Sequence, residues 1–303
     1  MRLVFLGTPA FAVPTLEAMV RAGHEVALVV TQPDRPRGRG QSPAAPPVKE
    51  AAVRLGLPVA QPERVRRPEA VEQLRAIGAE AMVVVGYGQI IPQSVIDLAP
   101  LGIINVHASL LPKYRGAGPI QWAILNGETR TGVTTMRIDA GLDTGDILLK
   151  AETEIGPEEN AIELGRRLAV MGADLLVETL AGLRTIVAEK QDSAQATYAR
   201  LLKKVDGAID WSRPAEAVHN QVRGLQPWPG AYTNFRGQTL HVWRTRVAAP
   251  GARPGVRPWV VACGGGALEL LEVQLEGRKR ISASDFANGQ RLTENDRLGE
   301  PTN

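Results

Sequence analysis

Four short runs, Arg2–Gly7 (RLVFLG), Val26–Thr31 (VALVVT), Ala81–Gly86 (AMVVVG) and Gly102–Val106 (GIINV), are continuously apolar and rich in β-branched residues. Runs without polar alternation fit strands covered on both faces. The stretches between them, Ala10–Ala22, Pro46–Leu55 and Glu69–Ile77, read as amphipathic helices, two with proline near the start. Strand–helix–strand repetition with short connections leaves few topologies, so the first half is expected to be α/β: a Rossmann-like, doubly wound, mostly parallel sheet. Glu158–Leu183 reads as a longer helix, with apolar positions at Leu164, Leu168, Met171, Leu175 and Leu176.

After about residue 184 the pattern changes. Short strand-like runs at Leu240–Arg246, Trp259–Ala262, Ala267–Val273 and from Leu275 onward are punctuated by Pro250-Gly251, Pro254-Gly255 and Gly264-Gly265-Gly266. Such punctuation predicts a small OB-like β-barrel. The expected division is a catalytic domain over 1–188, a linker over 189–204 and an OB-like domain over 205–303. A length of 303 residues with 44% apolar positions supports two cores. No apolar run approaches the roughly 18 residues of a spanning helix, and the opening residues lack a signal peptide's cleavage region. One cysteine, Cys263, excludes an internal disulfide, so a cytoplasmic protein is expected. Residues 1–190 carry 20 Lys+Arg against 21 Asp+Glu, whereas residues 191–303 carry 15 against 11. The basic excess therefore lies in the C-terminal third, where it would favour nucleic-acid contact.

Gly7-Thr8-Pro9 stands where a dinucleotide-binding turn would carry G-x-G-x-x-G. Proline in place of the second glycine keeps the backbone from a pyrophosphate, which argues against a nicotinamide cofactor. A stronger signal is Asn105-Val106-His107-Ala108-Ser109, at the tip of the fourth run. Asn105 and His107 share one side of an extended strand, because side-chain direction repeats every second residue. The loop Asp139–Asp146 (DAGLDTGD), which follows the strand-like run Gly132–Ile138, can supply a carboxylate.

Amide, imidazole and carboxylate without a partnered serine or cysteine nucleophile suit direct acyl transfer to an amine. Amide and imidazolium donors can bind an oxyanion, while a carboxylate favours the charged imidazole and takes the amine's proton. With four His and one Cys, no metal-ligand spacing is present.

These residues sit within a longer likeness. GTPAFAVPTL near the start, QPDRPRGRGQ (Gln32–Gln41), VVVGYGQIIP (Val83–Pro92), INVHASLLPKYRGAGPIQWAILNGE (Ile104–Glu128), DAGLDTGDIL (Asp139–Leu148), IDWS (Ile209–Ser212) and QPWPGAY (Gln226–Tyr232) occur in order over most of the chain. The chain thereby resembles the 10-formyltetrahydrofolate-dependent formyltransferase family. The resemblance implies that Asn105, His107 and Asp143 are the catalytic trio and that Ser109, Leu110, Leu111 and Pro112 match the folate-binding signature. It further implies that Gln89, Ile90, Ile91 and Pro92, with the loop from Asp139 to Asp143, hold the pterin ring.

The loop Asp34–Gln41, with Arg35, Arg37 and Arg39, matches an insertion set against a tRNA acceptor stem, Arg39 falling at the discriminating position. The implied donor is 10-formyltetrahydrofolate as cosubstrate, without a metal; the implied acceptor is methionyl-initiator tRNA. The C-terminal domain would dock that tRNA, with Lys203 and Lys204 as basic contacts, and the enzyme would act as a monomer away from any membrane. Leu201 departs from the family, where lysine is usual, with Arg200 and Lys203 as candidates to compensate.

Formylation of a small amine, such as an amino-sugar nucleotide or glycinamide ribonucleotide, is the rival activity. A non-catalytic tRNA-binding scaffold is the rival class, and intact Asn105, His107 and Asp143 argue against it. A cis peptide before Pro112 is expected where the chain must turn sharply. Trp211 and Trp228 read as packing residues, Cys263 as a small hydrophobe, and His219 and His241 as structural or surface residues.

Overall fold

A computed structural model describes residues 1–37, 42–256, 258–293 and 296–299, with backbone alone at 37, 42 and 43. The chain forms two compact units. One comprises Met1–Gly116, Thr131–Thr153 and Gly165–Tyr198; the other draws Ala117–Arg130 and Glu154–Leu164 from earlier in the chain and joins them to Ala199–Asn303.

In the first unit the elements are β1 (Arg2–Gly7), α1 (Val13–Arg21), β2 (Glu25–Val30), β3 (Arg35–Arg37), β4 (Ser42–Ala44), α2 (Pro47–Arg54), β5 (Val59–Ala60), α3 (Pro68–Ile77), β6 (Ala81–Val85), α4 (Gln93–Ile96) and β7 (Ile103–His107). The chain continues through β8 (Arg115–Gly116), α5 (Pro119–Leu125), β9 (Arg130–Arg137), β10 (Ile147–Glu154), α6 (Ala161–Gly182) and β11 (Tyr198–Ala199). Seven strands form one sheet in the order β10-β9-β7-β6-β1-β2-β5. Its β7-β6-β1-β2-β5 part is parallel, and β9 runs antiparallel to β7.

Period-two alternation sorts the apolar runs into two cores. Leu3, Phe5, Val83, Ile104 and Val106 pack on one face with Leu16 and Met19 of α1 and Leu176 and Leu180 of α6. Val4, Leu6, Met82, Val84 and Ile103 pack on the other with Val71 and Leu74 of α3. Each fully buried side chain of this size contributes about 2 kcal/mol. Prolines at the first helical positions of α1, α2 and α3 occupy sites whose N–H has no intrahelical partner. Gly172 of α6 lies directly over Val106, so the helix approaches the sheet too closely there for a side chain.

The second unit holds α5 and the start of α6, whose Asn160 side chain accepts from the Ile162 and Glu163 amides while Glu163 reaches back to the Asn160 amide. Then follow α7 (Ala215–Gly224), β12 (Ala231–Phe235), β13 (Gln238–Val247), β14 (Gly255–Val256), β15 (Trp259–Ala262), β16 (Ala267–Leu275), β17 (Ile281–Ser282) and α8 (Ala283–Gly289). The sheet runs β12-β13-β16-β15-β14, with β17 beside β16, and all its described pairings are antiparallel.

This is an antiparallel sheet domain whose strand path is open among the described residues, so the expected barrel closure is not observed. The strand expected from Leu275 onward does not form. β16 itself runs through Leu275, the chain turns at Gly277 (φ 72°), and only Ile281–Ser282 pairs again. The core joins Val218 and Val222 of α7, Leu240 and Val242 of β13, Leu268 and Leu270 of β16, and Phe286 of α8. Cys263 packs at its edge, where burial pushes the thiol pKa up, and Trp211 packs there too. Trp228, expected to pack, is 55% exposed.

Among the described residues no helix is long and apolar enough to cross a membrane.

Candidate active site

β7 is buried along its whole length, and its face carrying Ile103 changes at Asn105 and His107 from apolar to polar. Register opposite β9 sets Asn105 across from Met136 and His107 across from Thr134. Asp143 reaches the same place from the loop between β9 and β10. Its Oδ1 accepts from Asn105 Nδ2 at 3.4 Å, and its Oδ2 lies 3.6 Å from His107 Nδ1. Oδ2 also accepts from the Gly116 amide at 2.8 Å. The three residues assigned to catalysis from the sequence are thus brought together.

The tautomer of His107 follows from its other contact. Nε2 lies 2.9 Å from the Tyr114 carbonyl oxygen, which can only accept, so Nε2 carries a proton. Nδ1 is left facing Asp143. The turn that supplies the Tyr114 carbonyl and the Gly116 amide has Tyr114 in the left-handed region (φ 59°) and Gly116 at φ 110°. One turn therefore orients both the imidazole and the carboxylate.

Asp143 is itself left-handed at φ 51°, a conformation that costs a non-glycine residue about 1 kcal/mol. The surrounding loop fixes it. Asp139 Oδ1 accepts from the Gly141 amide (3.0 Å) and the Thr144 hydroxyl (2.7 Å), closing the loop on itself. Gly145 passes so close to the Arg137 carbonyl that a side chain there would overlap it.

The segment after Ser109 is partly used internally. Ser109 Oγ donates to the Lys113 carbonyl (2.6 Å), and the Thr134 hydroxyl donates to the Ser109 carbonyl and accepts from the Leu111 amide. Leu111, 1% exposed, packs against Met136 and Ile147, while Leu110 and Pro112 are half-buried. The Leu111–Pro112 peptide is cis, as expected from the sequence.

Of the residues assigned to the pterin ring, Gln89 accepts from the Val65 amide and donates to the Glu63 carbonyl. Ile91 is buried and Pro92 half-buried, whereas Ile90 is 91% exposed. Behind this loop, Thr8 Oγ1 and Gln32 Nε2 both donate to the Tyr87 carbonyl, tying three strand ends together. Burial pushes the Tyr87 hydroxyl pKa up to about 12.

Of the residues assigned to tRNA, Arg35 is exposed on β3, Arg37 is described by its backbone alone, and Arg39 lies outside the described residues. Lys203 and Lys204 are exposed. Arg200, a candidate to compensate for Leu201, is instead paired with Asp206 at 2.6 Å and stacked over Trp122 at 4.8 Å. That pairing holds the Asp206 carboxyl below its usual range and raises Arg200.

Residues that sequence reasoning missed surround Asp143 and His107: Tyr114, Arg115, Gly116, Gln191 and Thr197. The Thr197 hydroxyl accepts from the Tyr114 amide (2.8 Å), and its carbonyl accepts from the Arg115 amide (2.8 Å).

The class of this chain is that of the formyl-group transferases. Residues 1–180 match the formyl transferase family, residues 201–291 match the formyl transferase C-terminal domain, and the chain belongs to that family. Within it the chain belongs with the methionyl-tRNA formyltransferases. It is 78% identical over 308 aligned positions, 99% of each chain, to the methionyl-tRNA formyltransferase of Solibacter usitatus, and 58% identical with the same coverage to that of Koribacter versatilis.

Solved structures share the fold. The methionyl-tRNA formyltransferase of Clostridium thermocellum has a TM-score of 0.61 at 17% identity, covering 91% of this chain and 98% of its own. A Helicobacter canadensis N-formyltransferase, solved with folinic acid and dTDP-3-aminofucose, has a TM-score of 0.66 at 17% identity, covering 92% and 99%.

Proposed function

We propose that this protein transfers the formyl group of 10-formyltetrahydrofolate to the α-amino group of methionyl-initiator tRNA. The observation that carries the reading is the meeting of Asn105, His107 and Asp143 in a chain so similar, end to end, to enzymes of that name. The residues fit a folate donor. Ile90 and Leu142 (61% exposed) offer uncovered apolar surface on the two loops assigned to the ring, and polar donors lie at the end of β7.

Asn105 has a second amide N–H beyond the one directed to Asp143, and His107 can present a proton at Nδ1. Both donors suit the formyl oxygen as it gains negative charge. Asp143 balances the imidazolium and receives the proton released by the attacking amine. The new C–N bond to the amine forms as the bond to folate N10 breaks; one proton leaves the amine and one is returned to N10. The product is a neutral amide in place of an ammonium-capable amine.

We read the C-terminal sheet as an OB-like module that docks tRNA. The basic excess of residues 191–303 and exposed Lys203, Lys204 and Trp228 support this. Arg35, Arg37 and Arg39 supply cations for acceptor-stem phosphates. Residues 1–188 would be catalytic and 189–204 would connect, with Gln191 and Thr197 of that stretch packed into the first unit, and the enzyme would work as a cytoplasmic monomer.

The test offers purified protein labelled 10-formyltetrahydrofolate with methionyl-tRNA and an amino-sugar nucleotide in competition. Label recovered on the tRNA is expected. Preferential formylation of the sugar nucleotide would overturn the assignment.

A further inference from the structure

We infer that Gln191 is a positioning residue for formyl transfer, holding Asp143 where its carboxylate meets Asn105 and His107; this rests on reading Asp143 as the catalytic carboxylate. Gln191 Nε2 donates to two carbonyls of the Asp143 loop, those of Asp143 and Gly145, each at 2.8 Å. Its Oε1 accepts from Arg115 Nε (3.0 Å) and Nη2 (2.8 Å). Arg115 is only 2% exposed. The amide can be oriented in one way alone, because carbonyls only accept and a guanidinium only donates.

This contact set is specific to glutamine. Glutamate would keep the Arg115 partners and turn an oxygen against two carbonyl oxygens. Methionine would keep the length and lose every hydrogen bond. The clamp also links the two sides of the site, because Arg115 lies in the turn whose neighbours orient His107 and Asp143. The Asp139 bonds close the loop from within, and Gln191 is the side chain that ties its carbonyls to the body of the unit. Without those donors a left-handed Asp143 has less to hold it, and its carboxylate can leave the reach of His107 Nδ1.

The test measures formyl transfer for Gln191→Glu alone and combined with Asp143→Asn. Misplacing a reacting group by about 1 Å costs up to about 100-fold, so kcat should fall about 10- to 100-fold. KM for methionyl-tRNA should stay within about twofold, since no tRNA-binding group is removed. In the Asp143→Asn background the Gln191→Glu change should have no further effect, because groups acting as a unit are not additive. Should Gln191→Glu fail to fold, Gln191→Met is read in the same way. A wild-type kcat, or an equal fractional loss with and without Asp143, would overturn the positioning role. A fully active Asp143→Asn would overturn the reading of Asp143 beneath it.

Discussion

His107 Nδ1 and Asp143 Oδ2 lie 3.6 Å apart, beyond hydrogen-bond range yet close enough for their charges to interact. Had they been in direct hydrogen bond, the Nδ1 proton would be committed to the carboxylate. At this spacing a proton carried at Nδ1 stays open to a third atom while the anion still balances it. The Nε2–H is already given to the Tyr114 carbonyl, so the imidazole has one free apex and one anion beside it. That is the arrangement required to meet an oxygen that becomes negative during reaction.

Replacing Asp143 by asparagine separates charge from shape. The amide oxygen can still accept from the Gly116 amide, which keeps the shorter of the two bonds, while the long bond from Asn105 Nδ2 is lost. What disappears is the anion beside Nδ1 and, on the proposed mechanism, the acceptor for the amine's proton. Loss of a positioned acid–base group costs about 10²- to 10⁴-fold. Asp143→Asn should lower kcat by about 10³-fold, with the folate Kd from calorimetry little changed. Near-normal turnover would remove Asp143 from proton handling.

Arg39 tests the docking side. A phosphate contact is worth about one counterion released, so its removal lowers the salt slope of binding by about one. Arg39→Ala should raise KM for methionyl-tRNA, leave kcat at saturating tRNA near wild type, and flatten the dependence of log KM on log salt. Unchanged tRNA kinetics across a salt series would dismiss the contact.

What could be read in advance followed the reach of local rules. β1 and β15 fall where their apolar runs placed them, because burial on both faces or in a tight sheet leaves a continuous signal. Asn105 and His107 were visible as polar residues breaking such a run at its end. Gln191 was not, and its partners explain why. It grips main-chain carbonyls of Asp143 and Gly145, which carry no sequence identity, from a polar stretch without periodicity. α7 escaped for a related reason. His219 and Arg223 make it look like a surface segment, yet both are buried. His219 spans Thr245 Oγ1 and the Pro157 carbonyl, and Arg223 donates to the Gly156 and Glu159 carbonyls. Burial lowers the Arg223 pKa against the pull of Glu158 and Glu159.

The glycine triplet and the IDWS segment are one structural feature. The Gly264 amide donates to the Trp211 and Arg213 carbonyls, each at 3.0 Å, and a Cβ at Gly264 would overlap the Ser212 carbonyl oxygen. Backbone cannot yield as a flexible side chain would. Gly264→Ala should therefore destabilise the C-terminal unit by about 2–3 kcal/mol, as overpacking does. The measurement is urea unfolding followed by tryptophan fluorescence. A midpoint unchanged from wild type would show that the two segments can part without cost.

Acid should weaken the same unit through His241. Its ring stacks on Trp243 (5.8 Å between centroids) and meets Tyr232 edge-on (6.0 Å). Nδ1 is buried without a hydrogen-bond partner among the described residues, with Gly230 packed close to it. Charging that ring means burying an imidazolium. Burial accordingly lowers its pKa from 6.5, Lys204 adds to the shift and Glu276 opposes it. The sign follows from proton counts: below about pH 6.5 the unfolded chain binds a proton that the folded ring refuses. Stability contributed by the neutral ring is thus present above pH 6.5 and declines as pH falls toward the depressed folded value. His24, also lowered by burial, adds a slope of the same sign from the other unit. His241→Phe keeps the aromatic stack and removes the titration. Between pH 7.5 and 5.5 the variant's Tm should fall less than the wild type's, and equal slopes would show that His241 titrates as it does in the unfolded chain.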